Sequence, residues 1–129
     1  MEILEILKNY LMGFPKWGDV RLQIDTTDPT PGSCGLFPLG SEELSRREDV
    51  MGNVKCRLRH TFLLRRVANR GEQAAAWLME LARWMGQQPP PTVGENPGIR
   101  GEKGRLVNPG QTGAATYEMG IILEYDKEM

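Results

Sequence analysis

The chain has 129 residues, 40% of them hydrophobic, enough for the modest core of one domain and too few for two domains that stand alone. Sixteen Lys and Arg against seventeen Asp and Glu leave a net charge of −1, which excludes a global field that gathers nucleic acid or acidic membranes, so any electrostatic function is local. The longest apolar run, Ala74 to Met79, is far too short to cross a bilayer, and Glu2, Glu5 and Lys8 interrupt the apolar stretch that a signal peptide requires; the expectation is a cytosolic product with no membrane role.

In residues 2–12 the apolar side chains Ile3, Ile6, Leu7, Tyr10 and Leu11 recur at the spacing of one helical face, and Gly13 and Pro15 stop the helix. Val20, Leu22 and Ile24 then alternate with polar residues, the period of a strand with one buried face, until Asp28, Pro29, Pro31 and Gly32 break it. "SCGLFPLG", residues 33–40, is a further short strand, with Pro38 confining it to an edge or a bend. Residues 41–50, "SEELSRREDV", fit either a short polar helix or an exposed strand. Strand is the preferred reading, because "MGN" at 51–53 is a tight turn into the strongly alternating segment 54–67, which completes a long hairpin.

Asn69 with Glu72 three residues on resembles a capping box, and Ala74, Trp77, Leu78, Leu81 and Met85 lie on one face of the helix that follows, which Gly86 ends. Residues 87–105, with four prolines and four glycines, read as an extended or mobile surface loop. A loop of that length is usually functional or ordered by a partner. Residues 114–125 put Ala115, Tyr117, Met119, Ile121, Leu123 and Tyr125 on one side and Thr116, Glu118 and Glu124 on the other, the clearest half-buried strand of the chain. The expected fold is therefore a single α+β domain over 1–129: a mainly antiparallel sheet with a long hairpin and two helices packed on one face.

Catalytic chemistry finds little footing. The lone His60 shares a face with Leu58 and Phe62 and has no second ligand or acid/base companion, which favours a core or interface histidine and no metal. Cys34 and Cys56 lack metal-ligand spacing and read as reduced, buried thiols, and neither Ser33 nor Cys34 sits in a nucleophile elbow. Glycines 94, 98, 101 and 104 lack the P-loop order that ends in Lys and Ser/Thr. The expectation is a protein that is not an enzyme and uses no cofactor. Trp77 and Trp84, close to two helical turns apart, read first as core anchors. Together with seven methionines they also suit a protein that buries surface against copies of itself.

The feature that asks for a function is "VKCRLRHTFLLRR" at 54–66, where Lys55, Arg57 and Arg59 stand about 6.6 Å apart along one strand face. Its targets rank as acidic residues on a paired strand or a neighbouring subunit first, solvent second and DNA third. Glu42, Glu43, Glu48 and Asp49, in a segment laced with Arg46 and Arg47, are the acidic counterpart. These seven residues are the candidate subunit-interface or channel-facing set. A nucleic-acid module built on Lys55, Arg57, Arg59, Arg65 and Arg66 is the alternative, although its cationic face has no aromatic side chain to stack on bases.

A short amphipathic first helix, a long charged hairpin, a helix with aromatics near its C-terminus ("WLMELARWMGQQ"), a proline-bearing loop and a closing strand with two tyrosines ("ATYEMGIILEYDKE") together make a layout. That layout resembles the tail terminator, or minor capsid, proteins of siphophages and prophages of Gram-positive bacteria. The resemblance spans nearly the whole chain in layout. It implies a homo-oligomeric ring, a hexamer, that caps the tail tube and contributes to head-tail joining. The implied partners are other copies of the chain, the tail tube protein and head connector proteins, with phage DNA passing close by. The implied location is the host bacterial cytoplasm during assembly and then the virion tail. Residues 89–91 and 94–104 depart from the layout.

Overall fold

In the computed structural model, residues 2–27, 30–69, 73–108 and 114–129 are described. The elements in chain order are α1 (Ile3–Leu11), β1 (Arg21–Ile24), β2 (Ser33–Glu48), β3 (Val54–Asn69), α2 (Ala74–Gln87), β4 (Glu95–Gly101), β5 (Arg105–Asn108) and β6 (Ala114–Glu128). The six strands form one sheet in the order β1-β2-β3-β6-β4, with β5 also on β6. Every pairing is antiparallel except β1 with β2, so the α+β class with a mainly antiparallel sheet and a long hairpin is what the chain adopts.

The period-2 pattern fixes the faces. Leu36, Leu64 and Met119 are cross-strand neighbours, and Phe62 stands opposite Ile121; with Cys34 and Leu123 they form the apolar face of the sheet. Leu7 and Leu11 of α1 and Leu78, Leu81 and Met85 of α2 close the same core. The link between α1 and β1 is pinned by aromatics. Trp17 Nε1 donates to the Leu11 carbonyl at 2.8 Å, Trp77 Nε1 donates to the Lys16 carbonyl at 2.6 Å, and the Phe14 and Trp17 rings each meet Trp77 edge-on. Trp84 packs against Tyr10 and Phe14, so both helical tryptophans join α2 to the α1 region.

Three local expectations are corrected. Residues 87–105 are no open loop, since β4 and the start of β5 lie there and bond to β6. The glycines that argued against a strand permit a close approach: a Cβ on Gly101 would sit 2.8 Å from Met85 Cε and 3.0 Å from Ala82 Cβ. Asn69 is the last residue of β3 rather than a helix cap; the N-cap position of α2 is Gln73, with no side-chain cap, and Glu72 lies outside the described residues, as do Asp28 and Pro29. Residues 33–40 are not a short strand of their own but the first half of the 16-residue β2, in which Pro38 holds the edge position expected of it, since β1 has ended on that side and a bulge lies next to it.

Candidate functional site: a charge ladder and an open strand edge

On the sheet face turned away from the helices, the odd residues of β3 meet carboxylates. Arg59 donates from Nη1 to Glu42 of β2 at 3.2 Å and from Nε to Glu124 of β6 at 3.1 Å. Arg57 Nη1 donates to Asp126 Oδ1 at 3.1 Å and to the Asn96 carbonyl at 3.0 Å, and Lys55 Nζ reaches Glu95 at 2.7 Å. Arg65 pairs with Glu118 at 2.7 Å, and Arg100 of β4 adds a third guanidinium to Glu124 at 3.4 Å. Lys55, Arg57, Arg59 and Arg65 are thus answered by acids of their own chain.

Electrostatics follow the geometry. Burial pushes the Glu124 carboxyl up, but hydrogen bonding to Arg59 and the charges of Arg59 and Arg100 outweigh it and hold the group below its ordinary value. Asp126 is lowered first by the Asn96 side-chain amide, 3.0 Å away, and then by Arg57. The Glu95 carboxylate raises Lys55, and Glu124 raises Arg59. Each of these shifts favours the charged form, so Lys55, Arg59, Glu124 and Asp126 are held ionised throughout the neutral range.

The four acidic residues expected to act together are separated by the bulge and the turn. Glu42 joins the ladder. Glu43 lies on the opposite face, bound by Arg46 at 2.8 Å and by the Cys56 thiol at 3.3 Å. Asp49 accepts the Met51 and Asn53 amides and holds the hairpin turn, while Glu48 stands exposed opposite Val54. The residues that complete the ladder, Glu95, Glu118, Glu124 and Asp126, were not in the expected set. Their signal is the polar alternation of β6, which has the same period as the cations of β3.

Elsewhere the groups are occupied structurally. His60 Nε2 lies 2.9 Å from the Tyr125 hydroxyl with the rings stacked, and burial, then Lys127, lowers its pKa. Burial pushes the Cys34 thiol up to about 12, which leaves it inert as a nucleophile at neutral pH. Arg66, buried on the helix side, lays its guanidinium 4.3 Å over the Trp77 ring. Glycines 94 and 101 stand against Tyr125 and α2 respectively, so they do not converge on a common anion cradle. Among the described residues, no three His, Cys, Asp or Glu side chains are grouped to hold a metal ion, and no helix is long and apolar enough to cross a membrane.

The second feature is an edge. β1 covers β2 over Ser33–Leu36; beyond Leu36 no described strand lies on that side, and residues 38–53 are exposed. The distal hairpin is therefore an arm, braced by β6 on one side and open on the other. No protein-family model matches the chain, and no curated protein matches it.

Proposed function

We propose that the protein is a structural subunit of the tail-terminator kind, a non-enzymatic component that assembles with copies of itself into a ring, a hexamer, on the end of a phage tail tube and contributes to head-tail joining. The arm carries this reading. Residues 38–53 add nothing to the core, yet β2 and β3 stay paired through them and ion pairs brace β3 to β6 and β2. A rigid extension with no internal packing return is what an assembly protein uses to reach a neighbour, and closed cyclic symmetry requires two different patches on each subunit. The sheet has two sides to offer, the open edge of β2 and the outer side of β4.

Electron microscopy of the purified chain, alone and with isolated tail tubes, tests the proposal. Rings, or density capping the tubes, are expected; a chain that forms no ring and ignores the tubes overturns it. The nucleic-acid alternative would have to compete for cations already held by carboxylates. Arg57→Glu/Arg59→Glu is expected to leave DNA mobility unchanged in a gel-shift assay, and a salt-sensitive shift abolished by that pair of changes would favour the alternative.

A further inference from the structure

The open edge of β2 carries its charges in an antisymmetric order: Glu42 and Glu43, then Leu44 and Ser45, then Arg46 and Arg47. We propose that two copies of this chain pair antiparallel along this edge, about a two-fold axis between Leu44 and Ser45. In that register Glu42 of one copy faces Arg47 of the other and Glu43 faces Arg46, each pair occurring twice by symmetry.

The bulge makes the faces agree. Glu42 and Arg47 stand opposite Arg59 and Lys55 of β3, on the side away from the helices, while Glu43 and Arg46 stand opposite Leu58 and Cys56, on the helix side. In a regular strand, residues five apart point to opposite faces; the extra residue at the bulge brings 42 and 47 onto one face. Opposed residues in an antiparallel pair must share a face, so the irregularity that disturbs the hairpin is what the two-fold pairing requires.

The same register brings Leu39, 60% exposed, towards the fully exposed Val50 of the other copy and places the exposed Leu44 at the axis. Other registers are worse. Sliding by two residues sets Glu43 against Glu48 in one direction, and Arg46 against Ser41 and Arg47 against Gly40 in the other; parallel in-register pairing sets like charge against like. Edge charges usually repel further strands. Here their order admits one strand, this one inverted. The contact is isologous and closes at two copies, so it goes beyond the ring reading and does not rest on it; a ring that used this edge would have to open it.

The test compares the full chain with an all-acidic arm, Arg46→Glu/Arg47→Glu, and an all-basic arm, Glu42→Lys/Glu43→Lys, by sedimentation equilibrium over a concentration series. The wild-type chain is expected to dimerise, more weakly as salt rises, and each variant to dimerise about tenfold more weakly or worse. An equimolar mixture of the two variants is expected to restore the dimer, because each acidic arm then faces a basic one. Hydrogen exchange on the wild-type chain gives a reading free of substitutions, in which amides of residues 41–48 gain protection as concentration rises. A wild-type chain that stays monomeric at its highest soluble concentration, a dimer insensitive to both variants, or no rescue on mixing folded variants overturns the proposal, whatever tail tubes show.

Discussion

Glu124 is the residue on which the ladder converges, with Arg57, Arg59 and Arg100 all within 3.6 Å of its carboxylate and its side chain 16% exposed. Its removal leaves three guanidiniums partly desolvated around a neutral group, so Glu124→Gln is expected to destabilise the fold by about 1–2 kcal/mol in urea unfolding. Arg46→Ala, which breaks a pair open to solvent on the arm, is expected to leave the urea midpoint unchanged at protein concentrations low enough to keep the chain monomeric. The ladder also sets an acid response. Glu124 and Asp126 both titrate lower in the fold than in the unfolded chain. Their stabilisation is therefore full above the ordinary carboxylate range near pH 4 and is lost as pH falls through the lower folded values. His60 adds to this, since its folded pKa is lowered and it favours the fold while neutral. Urea midpoints measured from pH 7 downward are expected to fall on the acid side, and Glu124→Gln/Asp126→Asn to flatten the fall below pH 4. An unchanged slope in the double variant would show that the ladder does not carry the acid response.

Elements with one buried face were legible in the sequence, because burial imposes a period. The stripe of Leu7 and Leu11 marks α1, the even residues from Cys56 to Leu64 mark β3, and Met119, Ile121 and Leu123 mark β6. The distal half of β2 has no buried face, so it carries no period, and the turn after it was the remaining clue. β4 was hidden for a different reason. Its backbone bonds to β6 while Gly101, and Gly104 just beyond it, make room for α2, and a sequence rule that treats Gly and Pro as breakers cannot see the helix these two accommodate. The parallel pairing of β1 with β2 has no local signature at all, being set by where the chain returns after Pro31. Of the candidate site, the cations and Glu42 were readable, but their partners on β6 became visible as partners once β3 and β6 were placed side by side. The glycine reading makes a direct prediction: Gly101→Val drives a branched side chain against Ala82 and Met85 and is expected to cost about 1–3 kcal/mol, measured as a lower urea midpoint with unchanged m-value. Gly98→Ala, with open space around its Cα, is expected to have a far smaller effect.

At the scale of the whole molecule, the sheet order places the last strand in the centre. β6 pairs along its full length with β3 on one side and with β4 and β5 on the other, and it supplies Met119, Ile121 and Leu123 to the core. α2 cannot be seated correctly without it, since α2 rests on β4 and β6 and, among the described residues, β4 has no other strand partner. The arm is the reverse case: it is long, ordered and ion-paired, but between Phe37 and Arg57 only Cys56 is buried, and it lies outside the main core cluster. The two ends of the sheet thus divide the labour, one holding the fold and the other reaching outward. A chain lacking residues 114–129 is expected to show no cooperative thermal transition by circular dichroism. A chain in which residues 42–59 are replaced by an Asn-Gly turn between Ser41 and His60 is expected to keep one, at lower temperature, because the turn joins residues already paired across β2 and β3. That shortened chain leaves Glu124 and Asp126 without Arg59 and Arg57, so its loss of stability is expected to shrink at acid pH, where those carboxyls are protonated. Since it also lacks the charged edge, it is expected to sediment as a monomer while retaining the fold. If shortening the arm abolished the transition as completely as removing β6, the arm would be part of the folding unit, and its assignment as an assembly device would fail.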